Sequence, residues 1–176
     1  MSWIKEINQN DSPLLKSIYE RATKRTNEST ANVLKVHSLK PETLEAHMLL
    51  YETIMFGDGL LSRFQREMIG VVVSSANQCP YCVEHHSEAL FHVTGDQALM
   101  ESVSQDYMHA NLGATDVEIC HYAEKLTKTP YKMTEADVDK LKGVGLTDVA
   151  IFEVNQIASY FNYVNRIVHG LGVELE

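Results

Sequence analysis

A glutamate, two cysteines and a histidine lie within twenty residues of one another and are of the types that perform thiol chemistry. Pro80 follows Cys79 directly, which predicts that a helix begins there and places Cys82 in its first turn. Free backbone N–H groups and the positive end of the helix dipole stabilise a thiolate at that position, and the thiolate is the reactive form of cysteine. His86 lies four residues after Cys82 and shares its helix face, where an imidazole can accept the thiol proton or pair with the thiolate as a cation.

The glutamate of this group, Glu67, is expected to reach His86 across a helical hairpin. Residues 62–76 and 79–93 each carry a helical pattern, and residues 77–78 between them are typical of a turn. At a rise of about 1.5 Å per residue, Glu67 lies roughly 15 Å from the turn along one helix and His86 roughly 12 Å along the other. The spacing predicts a carboxylate that orients an imidazole, which in turn activates a thiol.

The rest of the chain carries signals of further helices. Glycine and proline number 9 and 4, which together is well below the usual share of about 12% and favours few turns and long elements. Prolines at helix starts, capping residues and terminating glycines predict seven or eight helices in an all-α fold. These signals are Ser12-Pro13, Pro41, Ser62 with Gln65, Thr115 with Glu118, Thr134, Thr147, Gly57, Gly59 and Gly95. The segment Val71-Val72-Val73 is equally typical of a strand.

A later segment repeats part of this spacing. Glu67 precedes Cys79 by twelve residues, and Glu153 precedes Asn165 by twelve in a similarly apolar segment. The second segment carries no cysteine. These spacings indicate a duplicated helical hairpin that kept its thiols in one half.

The length and the net charge of the chain limit the number of domains and the classes of partner. A chain of 176 residues corresponds to one domain over residues 1–176. Lys and Arg number 15 against 24 Asp and Glu, and the resulting net charge of −9 repels nucleic acids and anionic membranes. The first residues lack a signal-peptide pattern and no apolar run could span a bilayer, so we expect a cytoplasmic protein. Three cysteines do not form a disulfide scaffold in that reducing compartment.

The spacing Glu67, Cys79, Cys82, His86 resembles that of the AhpD-like alkylhydroperoxidase branch of the carboxymuconolactone decarboxylase family. The resemblance covers most of the chain from Leu34 onward and is strongest in a motif core at about residues 61–90. The surrounding sequence is similar to a subgroup described as peroxidase-related, in the segments His47-Met48-Leu49-Leu50-Tyr51, Ser62-Arg63, Arg66-Glu67-Met68-Ile69 and His85-His86.

The resemblance implies an all-helical protein that assembles into trimers or hexamers and reduces hydroperoxides without haem, metal or another cofactor. It also implies the roles of the site residues. Cys82 attacks the peroxide oxygen, Cys79 resolves the sulfenic acid as a disulfide, and Glu67 with His86 relays protons. An external dithiol, such as a lipoyl group or a thioredoxin-like protein, then reopens the disulfide. Tyr81 stands where the best-known members of the family carry a histidine, immediately before the second cysteine, and His85 is the candidate substitute in the relay.

Three alternatives fit parts of the same pattern. Cys79-Pro80-Tyr81-Cys82 is also typical of glutaredoxins, whose fold requires βαβ alternation. Cys79, Cys82 and His86 could instead ligate zinc, with Glu67 or His85 as a fourth ligand. In a non-catalytic helical module the cysteines would be small buried apolar residues, which is the role we expect for Cys120.

Overall fold

A computed structural model describes residues 2–26 and 30–176 of the chain, and all the regular structure in these residues is helical. The α-helices are α1 (Pro13–Thr26), α2 (Asn32–Lys35), α3 (Pro41–Phe56), α4 (Arg63–Ala76), α5 (Pro80–Thr94), α6 (Gln97–Asp106), α7 (Ala114–Lys128), α8 (Glu135–Gly143) and α9 (Asp148–Leu171). Short 3₁₀ turns cover Gln9–Asp11, Val36–Leu39, Tyr107–His109 and Pro130–Lys132. The predicted all-α fold is confirmed, and the glutaredoxin-like alternative is wrong because residues 71–73 lie inside α4.

The chain divides into two compact units. One comprises the described residues of 1–53 together with 166–176, and the other comprises residues 54–165. In the first unit, apolar residues of α1 pack against Leu34, Leu44 and Met48. The prediction of a single domain over residues 1–176 is not tested by this division and stays a prediction.

The second unit contains α4, which is buried on all sides over nine consecutive residues, Arg66 to Ser74. Such a helix belongs to the centre of a core, and α4 contacts α5, α6 and α7. The serine hydroxyl of Ser62 accepts a hydrogen bond from the Gln65 backbone N–H, and the Gln65 side chain reaches back to the Ser62 N–H. The predicted capping box at this helix start is therefore confirmed.

The turn between α4 and α5 lies at Asn77 and Gln78, as predicted. Gln78 adopts a left-handed conformation with φ of 55°, and its N–H donates to the Ser75 carbonyl at 2.9 Å. The Cys79 N–H donates to the Ser74 carbonyl at 2.9 Å, and Cys79 then serves as the N-cap of α5. This reversal makes α4 and α5 an antiparallel hairpin and fixes the CxxC motif at the start of α5.

Two predictions about other helices are wrong. Thr115 does not cap α7, which begins at Ala114 with Gly113 as its N-cap; the Thr115 hydroxyl donates instead to the Val144 carbonyl at 3.2 Å. The segment from Glu153 to Asn165 is not a second hairpin, because both residues lie in the continuous helix α9. Within the described ranges, no helix is both long enough and apolar enough to cross a membrane.

Candidate active site

The central position of α4 buries Glu67 completely, and the hairpin brings His86 of α5 against it. Glu67 is 0% exposed, and the His86 Nδ1–H donates to its Oε2 at 2.7 Å. The predicted carboxylate–imidazole contact is therefore present. Because Nδ1 is occupied by the carboxylate, Nε2 is the imidazole nitrogen left to exchange protons.

The second carboxylate oxygen of Glu67 pairs with a residue that we had not predicted as part of the site. Arg63, one turn earlier on α4, forms an ion pair with Oε1 through its Nη2. Its Nη1 donates to the Met55 carbonyl at 2.6 Å, and its guanidinium carbon lies 3.8 Å from the centre of the Phe56 ring. The i,i+4 spacing of Arg63 and Glu67 was a visible signal of this pair.

The imidazole of His86 is held on its other side by an aromatic ring. Phe161 of α9 lies edge-on to His86, with ring centroids 4.4 Å apart. Gly70 of α4 makes room for both rings, because a Cβ at that position would lie 2.9 Å from Phe161 Cζ and 3.4 Å from His86 Cγ. Residue 70 must therefore be glycine if the rings of His86 and Phe161 are to occupy these positions.

Cys79 and Cys82 lie in direct contact at the start of α5. Both are free thiols, their sulfur atoms are 2.8 Å apart, and Cys79 and Cys82 are 0% and 3% exposed. Since Cys79 is the N-cap, Cys82 occupies the third position of the helix, within its first turn. The predicted placement of the pair at a helix N-terminus is therefore present.

The two thiols differ in acidity, in the direction opposite to the one expected from the helix dipole alone. The hydrogen bond from the Cys82 thiol lowers the pKa of Cys79, against the opposing effect of burial. The same hydrogen bond raises the pKa of Cys82, and burial raises it further. The pair consequently gives up one proton readily and keeps the second, because each sulfur can stabilise a thiolate on the other only while it retains its own proton.

A polar network from α9 also reaches this site. Asn165 is completely buried, and its Nδ2 donates to the Ser74 hydroxyl at 3.2 Å. Its Oδ1 accepts a hydrogen bond from Asn77 Nδ2 at 2.9 Å. The sequence singled out Asn165 only as part of a repeat that does not exist, so its hydrogen bonds to Ser74 and Asn77, just before the CxxC motif, were not predicted.

Three other residues named from the sequence have different surroundings. The ring of Tyr81 is buried and lies 4.5 Å from the ring of His85, centroid to centroid. Cys120 is fully buried in α7, and burial raises the pKa of its thiol. These surroundings agree with core packing for Cys120.

The described residues do not offer a metal-binding cluster. Among them, no group of three or more His, Cys, Asp or Glu side chains is arranged to hold an ion. The Glu67 oxygens are engaged by Arg63 and His86. The geometry of this part of the chain therefore does not support the zinc alternative.

Comparisons with known proteins identify the family and the fold of the chain. The model of the carboxymuconolactone decarboxylase family matches residues 41–103. An uncharacterized peroxidase-related protein from Silicibacter sp. TM1040 is 31% identical, with a TM-score of 0.87, over 94% of this chain and 87% of that chain. The alkylhydroperoxidase AhpD core of a peroxidase-related protein from Ralstonia eutropha JMP134 is 25% identical, with a TM-score of 0.91, over 99% of this chain and 92% of that chain.

A more distant similarity concerns the fold alone. An alanine variant of the debrominase Bmp8, in complex with 2,3,4-tribromopyrrole, is 15% identical with a TM-score of 0.85, over 100% of this chain and 94% of that chain. No curated protein matches this chain. The Silicibacter protein is more than 30% identical to this chain over nearly the whole length of the chain. The chain therefore belongs to the carboxymuconolactone decarboxylase family, in its AhpD-like, peroxidase-related branch.

Proposed function

We propose that this protein is a thiol-dependent peroxidase that reduces organic hydroperoxides with Cys82 and Cys79. The observation that carries the proposal is the contact between two thiols 2.8 Å apart at a helix start, one turn before a histidine held by a buried carboxylate. Two thiols at this distance need little movement to form a disulfide, whose sulfurs are about 2.05 Å apart. This arrangement suits a reaction in which the same pair supplies two electrons.

The reaction balances with the groups present and a hydroperoxide. The Cys82 thiolate attacks the distal peroxide oxygen, the O–O bond breaks, and the products are a sulfenic acid on Cys82 and an alkoxide. The Cys79 thiolate then attacks the Cys82 sulfur and expels hydroxide, which leaves as water after taking a proton. One hydroperoxide and two thiols thus give one alcohol, one water and one disulfide.

His86 and Glu67 serve this reaction as proton carriers. Since the pKa of Cys82 is raised by Cys79, its proton must be removed when it attacks, and His86 lies one helical turn away on the same face. The imidazole accepts that proton and delivers it to the departing alkoxide. Glu67 fixes the tautomer through Nδ1, so that Nε2 performs both steps.

The partners follow from the resemblance to AhpD-like proteins. An external dithiol, carried by a lipoyl group or a thioredoxin-like protein, reduces the disulfide and completes the cycle. We also propose a homo-oligomer, trimer or hexamer, that works in the cytoplasm.

Consumption of an organic hydroperoxide by the reduced protein tests the proposal. Protein in excess over cumene hydroperoxide is expected to consume it stoichiometrically while two thiols disappear, with the disulfide located by mass spectrometry. Cys82→Ser is expected to consume none. Cys79→Ser is expected to stop at a sulfenic acid, which a dimedone adduct on Cys82 would identify.

The matched control is Cys120→Ala, which removes the third thiol and is expected to behave like the unmodified chain. Unchanged thiols in the unmodified protein would refute the proposal. A dimedone adduct on Cys79 in the Cys82→Ser variant would instead reverse the roles of the two cysteines.

A further inference from the structure

Two asparagines of α9 contact the end of α4, just before the CxxC motif. Asn77, the C-cap of α4, donates through its Nδ2 to Asn165 Oδ1 at 2.9 Å and to Asn162 Oδ1 at 3.0 Å. Asn165 is completely buried and donates through its own Nδ2 to the Ser74 hydroxyl at 3.2 Å. An amide at such a depth is costly to leave unpaired. The end of α4 is therefore bound to α9 at two residues, Ser74 and Asn77.

The orientation of each α9 amide is fixed by a further partner. Asn162 Nδ2 donates to Thr127 Oγ1 of α7 at 2.9 Å, which turns its Oδ1 toward Asn77. Ser74 orients Asn165 in the same way, because it accepts from Nδ2 and leaves Oδ1 for Asn77. Two carbonyl oxygens thus converge on the single NH₂ group of Asn77, which supplies one hydrogen to each. A residue without a donor at position 77 would break both connections at once.

The turn that follows Asn77 includes a backbone conformation that needs support from its surroundings. Gln78 has a φ of 55°, in the left-handed region, which is costly for a residue with a Cβ and persists where neighbouring contacts impose it. The Gln78 N–H donates to the Ser75 carbonyl and the Cys79 N–H to the Ser74 carbonyl, each at 2.9 Å. Ser74 therefore binds Cys79 through its carbonyl and α9 through its hydroxyl.

The conformation of this turn determines how Cys79 meets Cys82. Cys79 is the N-cap of α5, and its thiol contacts that of Cys82 in the first turn of the helix. In the dithiol form, this contact lasts only while the backbone before Cys79 keeps its conformation. In the disulfide form, the covalent bond itself joins the two residues. A restraint on the turn therefore removes more conformational freedom from the dithiol than from the disulfide, and it favours the disulfide.

We propose that Asn77, Asn162 and Asn165 are positioning residues that hold the turn before Cys79 and thereby make the reduction potential of the Cys79–Cys82 pair more negative. They act through the backbone and not by contact with a reacting atom. Their role in catalysis rests on the proposed function, whereas the potential can be measured without any peroxide. The exchange to be measured is that of the protein dithiol with oxidised dithiothreitol, which yields the protein disulfide and reduced dithiothreitol.

The measurement uses a Cys120→Ala background, which leaves Cys79 and Cys82 as the two thiols of the chain. The protein is equilibrated with mixtures of reduced and oxidised dithiothreitol, and the dithiol fraction is read by mass after alkylation with a maleimide. Asn77→Ala removes the shared donor, and alanine adopts the φ of −85° and ψ of −3° at this position without strain. We expect the equilibrium to shift about tenfold toward the dithiol, which corresponds to a potential about 30 mV less negative.

Asn165→Leu breaks the same network from α9, because leucine is similar in size and can neither donate nor accept. We expect a shift in the same direction, and the double variant with Asn77→Ala is expected to shift little further than the larger single variant. Asn155→Ala is the matched control. It removes an asparagine of the same helix that donates to the Tyr122 hydroxyl at 2.9 Å, about 15 Å along α9 from Asn165. We expect this control to leave the potential unchanged even where it lowers stability.

An unchanged or more negative potential in folded Asn77→Ala would overturn the inference, as would an equal shift in Asn155→Ala. Strictly additive shifts in the double variant would overturn the shared role of the network. If Asn165→Leu does not fold, the result for Asn77→Ala decides alone. A shifted potential in a protein that consumes no hydroperoxide would establish the positioning role and refute the peroxidase function. An unchanged potential in a protein that consumes hydroperoxide would refute the positioning role alone.

Discussion

Gly70→Ala adds a single methyl group at the point where α4, His86 and Phe161 meet. The new Cβ would lie 2.9 and 3.0 Å from Phe161 Cζ and Cε2 and 3.4 Å from His86 Cγ. The distances to Phe161 are too short for carbon atoms, so a side chain or a helix must shift. Phe161 is only 1% exposed and its ring lies edge-on to His86, so a shift of Phe161 displaces His86 and disturbs its hydrogen bond to Glu67.

Two opposing effects set the change in stability. Overpacking a core by one methyl group costs about 1–3 kcal/mol, whereas replacing glycine by alanine within a helix gains about 0.5–1 kcal/mol. We therefore expect a net loss of roughly 1–2 kcal/mol in the free energy of unfolding, which lowers the melting temperature of a chain of this length by roughly 2–8 °C. Peroxide reduction is expected to fall by about tenfold or more, because proton transfer depends on the position of the imidazole.

Gly143→Ala is the control, because it makes the same change in α8 where no atom lies within 4 Å of the new Cβ. That variant is expected to be as stable as the parent or slightly more so, with unchanged activity. Urea unfolding and stoichiometric peroxide consumption measure both quantities for both variants. If Gly70→Ala matched Gly143→Ala in stability and in activity, the claim that residue 70 must be glycine to place His86 would be refuted.

Two ion pairs give further predictions. Arg63→Met leaves the buried Glu67 carboxylate without its guanidinium partner and is expected to lower the free energy of unfolding by about 1–3 kcal/mol. Adding Glu67→Gln is expected to recover about 1 kcal/mol or more, and strictly additive losses in urea unfolding would argue against the pair. Asp137 in α8 accepts hydrogen bonds from Lys125 at 2.6 and 2.7 Å and from the Thr134 backbone N–H, and these bonds lower its pKa. A lowered pKa stabilises the fold above the unfolded-state pKa of about 3.9. Asp137→Asn is therefore expected to cost about 1 kcal/mol at pH 7, with the difference shrinking as pH falls through the folded-state pKa; a difference independent of pH would contradict this assignment.

The parts of this structure that sequence could predict are those encoded by residues close together in the chain. Pro13 and Pro41 mark helix starts, and the Ser62 capping box and the turn at residues 77–78 also lie where the pattern placed them. The contact between Glu67 and His86 follows from the same local signals. The rise per residue of a helix and the position of the turn determine which residues of the two helices lie opposite each other, and Glu67 and His86 lie at similar distances from the turn.

The failed predictions depend on residues far apart in the chain. Thr115 was expected to cap α7, but its hydroxyl donates a hydrogen bond to the Val144 carbonyl instead, and Val144 lies 29 residues away in the chain. Asn165 donates a hydrogen bond to Ser74, which lies 91 residues earlier in the chain. No local sequence pattern indicates the partner of a single buried asparagine in an apolar helix. Tertiary hydrogen bonds of this kind can be found only after the helices are placed.

The acidity of the two cysteines shows why helix position alone was a poor guide to the reactive thiol. A helix N-terminus contributes typically 0.3–1 kcal/mol to a nearby charge, whereas a hydrogen bond to a charged group contributes about 1.5–3 kcal/mol. At 2.8 Å, the interaction between the two sulfurs is therefore larger than the effect of the dipole and decides which thiol ionises first. The thiolate on Cys79 in turn makes the proton of Cys82 harder to remove. His86 lies one helical turn after Cys82, held by Glu67, and is the base placed to offset this effect.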